Sequence, residues 1–387
     1  MLSPTVVLPY AIFWSTLDRS IALPLVPVFA ADLRTTVAVA GMAVTVHALA
    51  YSVLQLVWGP LQTKWGRVRV LVVSTTIGAG ANVATAFAPD ISSLIVCRGI
   101  SGGAYAATFA AVLVYLGDSL PVHRRPHAMS NLATAAALGL AVGTFGTGAI
   151  AEWLPWRTTF AGYAVLTIPL LVALVRLPPA GDHRGERLGS QLRHLAGNRW
   201  ALAIYGLTAL EGFLLIGVFN FLPVALQQAG SSVFVSGLAT AAFGVLVVVV
   251  SQVMKLFVHR VAPWTLLLAA GVTAVAAFVV LAVRVSPLTV LSGAGLMGVA
   301  WALGHTTLQG WATDAVADAR AMGMTFFSIS LMLGGAAGAG VASLAAGGDA
   351  FGRLFALSVL GAAVFGLGAS LGAARYRPGA VTPRPVG

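Results

Sequence analysis

Short polar breaks divide the chain into twelve apolar stretches, and this recurrence constrains the fold more than any motif. They lie near residues 5–30, 37–62, 68–88, 91–117, 127–150, 155–177, 199–228, 232–258, 263–284, 286–313, 321–346 and 350–374. A helix needs about 20 apolar residues to cross a bilayer, and each stretch is long enough. Of the 387 residues, 58% are hydrophobic and only 9% are charged. One globular core cannot hide that much apolar surface, so lipid must solvate much of it. The net charge of +11 does not indicate a nucleic-acid partner, because the basic residues sit in short loops between spans. Cys97 is the single cysteine, so no internal disulfide forms, and it reads as a small packing residue. The first basic residue is Arg19, which leaves no positive region before the first stretch; that stretch is expected to be an uncleaved helix rather than a secretory signal.

Basic residues set the expected orientation. Sixteen of the 22 Lys and Arg residues fall in connections 2–3, 4–5, 6–7, 8–9 and 10–11 or in the C-terminal tail. Four, Arg34, Arg157, Arg284 and Arg353, fall on the opposite side; Arg19 and Arg98 lie inside spans. Both termini are therefore expected in the cytoplasm. The longest polar segment separates residues 1–177 from 199–387, so two six-helix bundles joined by a cytoplasmic linker, 178–198, are expected. A constant offset of 196 maps Pro27 onto Pro223, Gly41 onto Gly237, Asp118 onto Asp314, Arg124 onto Arg320, Gly139 onto Gly335 and Arg157 onto Arg353. The Asp and Arg pairs are rare in this composition and carry the repeat. Parallel six-helix repeats place substrate between the halves, near the midplane.

Several motifs resemble the major facilitator superfamily. Between spans 2 and 3, Gly59, Lys64, Gly66, Arg67 and Arg69 are similar to the family's loop signature, with Thr63 where that signature has an acid. The resemblance implies a gating loop there, with a latch weaker than the family's or built differently. Span 4 begins Arg98-Gly99-x-x-Gly102 and ends at Asp118, Pro121, Arg124 and Arg125, like the family's fourth helix. Asp18 followed by Leu23-Pro24-Leu25-Val26-Pro27 resembles the twelve-helix drug:proton antiporter branch. Gly143-Thr144-x-x-Thr147-Gly148 lacks the proline and one glycine of that branch's fifth-helix signature. The implied fold is all-α: twelve transmembrane helices in two pseudo-symmetric six-helix bundles. In that fold spans 1, 4, 7 and 10 line a central cavity.

Ionisable groups inside a span cost about 2.5–3.5 kcal/mol on insertion scales and are functional candidates by default. They are Asp18, Arg19, Arg98 and Glu211, with the imidazoles His47 and His305. At 1.5 Å per residue Asp18, Glu211 and Arg98 fall at similar depth, roughly 20 Å and 18 Å from one face and 10 Å from the other. They are expected to face one space, with Asp18 as the main proton-carrying acid, Arg98 holding it charged, and Glu211 as a second acid. A static tie between helices is the alternative. Arg19 follows Asp18 directly, so the two point about 100° apart and cannot face one partner. His47 and His305 are read as hydrogen-bonded packing residues, with titration near neutrality the alternative. Gln55, Tyr105, Asn131, Asn220, Gln252, His305 and Gln309, with Trp301 and Trp311, are candidates for a substrate pocket beside Asp18 and Glu211; ordinary inter-helix bonding is the alternative for each. Asp118, Arg124, Asp314 and Arg320 read as structural ties at helix ends. Glycine runs such as Gly334–Gly340 lie inside spans and serve close packing, not phosphate binding. No Walker motif, metal-spaced Cys/His cluster or catalytic constellation is present, so no cofactor, no metal and no enzymatic activity are expected. The reading is a monomeric secondary active transporter exchanging a small molecule and protons across a cell membrane. Export of amphipathic or hydrophobic compounds is its leading form. Metabolite uptake, flipping of a lipid-linked molecule and, more remotely, a non-transporting receptor are the alternatives.

Overall fold

The structure, a computed structural model, describes residues 3–119, 125–178, 197–257, 260–316, 320–348 and 350–376. Arg124 and most of the expected linker lie outside the described residues, as do the side chains of Thr63, Asp118 and Arg320. Twelve membrane-length helices are present, close to the expected spans: α1 (Pro4–Asp32), α2 (Val37–Trp65), α3 (Arg67–Ala86), α4 (Ile91–Ser119), α5 (Arg125–Trp153), α6 (Trp156–Val175), α7 (Arg199–Gln228), α8 (Val233–Phe257), α9 (Pro263–Val283), α10 (Pro287–Ala315), α11 (Arg320–Gly347) and α12 (Phe351–Arg375). Side chains such as Phe87, Leu256, Val283 and Leu344 stand exposed on the outer surface, where lipid would meet them.

Local chemistry sets the irregular points. Proline removes a backbone donor, and α1 tightens into a 3₁₀ turn at Leu23–Leu25 around Pro24. The equivalent helix α7 opens into a π-helical turn at Phe213–Val218 and then tightens at Phe219–Phe221, just before Pro223. Such turns inside membrane helices are tolerated where the surrounding protein encloses them, and the whole Leu214–Leu226 stretch is buried. Between α2 and α3, Gly66 has φ +82°, and its N–H bonds the Gln62 carbonyl. Only glycine adopts that conformation without strain, which accounts for the glycine in the loop motif.

In the first half α1 packs on α5 and α2 on α4; in the second α7 packs on α11 and α9 on α12. The halves meet where α5 lies against α8 and α2 against α11. The repeat extends to individual contacts. A Cβ on Gly139 would strike the Phe13 carbonyl; Ala209, the mate of Phe13, is met instead by Gly334, one residue before Gly335, so this contact repeats with a slip of one residue. Close inter-half contacts gather at the end carrying Arg34, Arg157, Arg284 and Arg353. There Gln227 Nε2 donates to the Pro24 carbonyl at 2.8 Å, the Ser343 hydroxyl to the Ala38 carbonyl, and the Phe234 N–H to Glu152 at 3.3 Å. At this end Asp32 also accepts from Trp156 Nε1 and Arg157, and Arg157 donates to the Ala88 carbonyl. Its repeat mate Arg353 is exposed.

Candidate functional site

Helix α1 carries Asp18 into the interior of the first half, where it is 0% exposed. Its Oδ1 accepts from Asn82 Nδ2 at 2.7 Å and Arg98 Nη1 at 3.2 Å. Its Oδ2 accepts from the Ser101 hydroxyl at 2.7 Å and faces His47 Nε2 at 2.9 Å. Arg98 also clamps the Asp18 backbone carbonyl through Nη2 at 2.8 Å and the Asn82 side-chain oxygen at 3.2 Å. The guanidinium lies 5.4 Å from the Phe160 ring centre, and its Nε is buried without a partner among the described residues. Four helices thus converge on one carboxylate and fill all four of its acceptor positions.

The second buried acid is built differently. Glu211 Oε2 meets His305 Nδ1 at 3.1 Å. Its Oε1 is buried with no hydrogen-bond partner among the described residues. It faces Gly304, with Ala270 and Phe365 beside it, so the carboxyl turns into the second half. The His305 side chain is 16% exposed and stacks on Trp301, ring centres 4.2 Å apart, with Phe327 at 5.5 Å.

The expectation that Asp18, Arg98 and Glu211 face one space is corrected. Asp18 and Arg98 are enclosed by helices of the first half and Glu211 by helices of the second. The depths are similar, but depth does not give the direction in which a side chain leaves its helix. The histidines, read as hydrogen-bonded packing residues, are hydrogen-bonded, and their partners are the two acids. Asn82 and Ser101 were not singled out in the sequence. The one available signal was spacing: Ser101 stands one turn from Arg98 on the same face of α4.

The pocket candidates do not assemble as a group. Tyr105 is 1% exposed inside the first half and meets the Tyr163 hydroxyl at 3.0 Å. Asn131 is exposed, and Gln252 is exposed and accepts from Lys255 at 2.9 Å. Trp311 packs with Trp200 and Tyr376 in the second half. Gln309 is half-buried. Gln55 does lie between the halves, its Oε1 accepting from the Ser328 hydroxyl of α11 at 2.7 Å. Asn220 is buried in the irregular part of α7. Of the loop residues, Lys64 and Arg69 are exposed and Gly59 has open space around its Cα. Asp314 is exposed. Among the described residues no group of three or more His, Cys, Asp or Glu is arranged to hold a metal.

Comparison with known proteins agrees with this architecture. Over 238 residues the chain is 24% identical to YybF, an uncharacterised MFS-type transporter of Bacillus subtilis (strain 168), covering 57% of the chain and 59% of the relative. Over 226 residues it is 26% identical to a chloramphenicol resistance protein of Streptomyces lividans, covering 57% of each. The matches thus span less than two thirds of these curated relatives' lengths. Among solved structures, the nucleoside transporter NupG superposes with a TM-score of 0.76 at 14% identity, covering 96% of this chain and 100% of that one. A D-xylose-proton symporter superposes with a TM-score of 0.75 at 15% identity, covering 93% and 96%. At such identities these two likenesses show the fold alone. The family model described as Major Facilitator Superfamily matches residues 10–339. The chain is a multi-pass membrane protein of twelve helices and belongs to the major facilitator superfamily of secondary transporters.

Proposed function

We propose that this protein is a proton-coupled exporter of small amphipathic or hydrophobic compounds, with Asp18 as its main proton carrier. It works as a monomer in the cell membrane, with both termini and the 178–198 linker in the cytoplasm. The observation that carries the reading is the buried Asp18 centre, an ionisable group held by one cation and three polar side chains at membrane depth. Adding a proton turns one carboxylate oxygen into a donor, so one of the four donors around it must turn away. Oδ2 is the suited atom: the Ser101 hydroxyl can rotate, and His47 can present Nε2 as an acceptor in its other tautomer. Neutral Asp18 no longer balances Arg98, which weakens the tie between α1 and α4 and frees these helices to shift. Glu211 with His305 is a second proton site in the other half. The similarity to a chloramphenicol resistance protein supports the outward direction. Thr144 in place of the antiporter signature's proline favours uptake by the same fold, the competing reading.

Reconstituted vesicles with an imposed proton gradient test the coupling. Asp18→Asn is expected to abolish gradient-driven transport, and Glu211→Gln to reduce it. Full transport in both variants would sink the assignment. Net accumulation of candidate compounds in cells with and without the protein decides direction, and higher accumulation with it would overturn export.

A further inference from the structure

Arg19 is the intramembrane charge that the proton site does not use. It adjoins Asp18 in sequence but leaves α1 on another face, crossing to the second half, where Nη1 donates to Met332 Sδ at 3.7 Å. Among the described residues no carboxylate lies within ion-pair distance of it. Asp18 is fully engaged inside the first half, and Glu211 faces His305 and the interior of the second. A thioether is a weak acceptor and does not neutralise a guanidinium. The surroundings are apolar and aromatic. Met332 packs with Leu331 and Ile216 of the second half, with Tyr51 from α2 and Trp301 from α10 against them. His305 stacks on Trp301.

A further observation points the same way. Gln55 Nε2 and Asn220 Nδ2 are buried donors with no acceptor among the described residues, on side chains 4% and 3% exposed. Gln55 stands one helical turn from Tyr51 and bonds Ser328 of α11, so it lies between the halves; Asn220 lies in the 3₁₀ turn of α7. The contact between the halves therefore holds Arg19, with no carboxylate partner among the described residues, and a surplus donor on Gln55, beside the rings of Tyr51 and Trp301. A buried donor is costly until it meets an acceptor, and a planar guanidinium suits a carboxylate held by two parallel bonds.

We propose that Arg19 is the anion-recognising residue of a substrate site between the halves, and that this site takes a flat organic anion of the aromatic carboxylate class. The carboxylate would pair with Arg19, and its ring would lie among Met332, Tyr51 and Trp301. The proposal rests on the transporter reading, with the space between the halves as the substrate path, and it narrows the substrate class.

The test is equilibrium binding to the purified full chain in detergent, read by tryptophan fluorescence and thermal shift. The probes are 1-naphthoate, the neutral 1-naphthamide and the cationic 1-naphthylmethylammonium. Wild-type protein is expected to bind naphthoate at least tenfold tighter than either analogue, and Arg19→Gln to erase that preference. If Arg19→Gln does not fold, Arg19→Lys decides: its preference should fall severalfold, because an ammonium cannot hold a carboxylate bidentately. No naphthoate binding, equal affinities in the wild type, or an undiminished preference in the variant would overturn the proposal. No proton gradient enters this measurement. Failure of the Asp18 coupling test would therefore leave the anion site standing, and the reverse also holds.

Discussion

Asp18 and Arg98 make a buried ion pair whose value lies in what each does for the other. Both side chains are 0% exposed, so a charge left alone there has neither water nor a counter-ion. Breaking a buried pair on one side typically costs about 3–5 kcal/mol. Arg98→Gln should therefore lower the thermal unfolding temperature of the purified protein markedly. Adding Asp18→Asn to it should recover part of the loss, since no charge then remains in the centre. A double variant no more stable than Arg98→Gln would show that Arg98 acts through packing alone. This centre was half legible in the sequence. Asp18 and Arg98 stood out because charges are rare in apolar spans. His47 was marked as an imidazole within a span but not as the partner of Asp18, and Asn82 and Ser101 did not stand out, because small polar residues recur along these helices. Which of them meets the carboxylate depends on helix rotation.

Glycine placement governs how helices approach one another. Gly334 backs directly onto the Ala209 carbonyl of α7, whereas a Cβ on Gly310 of α10 would meet nothing within 4 Å. Gly334→Ala should push α11 from α7 and cost about 1–3 kcal/mol, as overpacking does. Gly310→Ala should be neutral or gain up to about 1 kcal/mol through helix propensity. Parallel thermal melts compare the two, and equal effects would contradict the packing geometry. The departures in α5 also make sense at this scale. Thr144 and Thr147 are 1% and 2% exposed, and the Thr144 backbone lies against Gly237 of α8. The Thr144 hydroxyl donates to the Leu140 carbonyl within its own helix, and α5 runs unbroken from Arg125 to Trp153. The sequence marked these positions as departures; their place at the contact between the halves came from packing.

The proposed transport cycle requires the halves to part at the end where Gln227, Ser343 and Phe234 bond across them. A Cβ on Gly347 would lie 2.9 Å from the Ala38 Cβ across the interface of the halves, so a separation of about 1 Å there reaches the roughly 3.8 Å spacing of a disulfide. On a Cys97→Ser background, Ala38→Cys with Gly347→Cys should therefore cross-link under mild oxidant. Transport should stop on oxidation and return on reduction. Full transport by completely cross-linked protein would exclude separation of the halves at that end. At this scale much was readable beforehand: the twelve spans and their boundaries to a few residues. Span length and hydropathy are set by bilayer thickness, which acts on each segment alone, so sequence by itself determined them. The direction of each polar side chain is different. Lipid tails are as apolar as a helix interface, so the pattern along a span does not separate a lipid-facing side from a buried one. Tertiary packing alone decided that Asp18 turns into the first half, Glu211 into the second and Arg19 across the space between them.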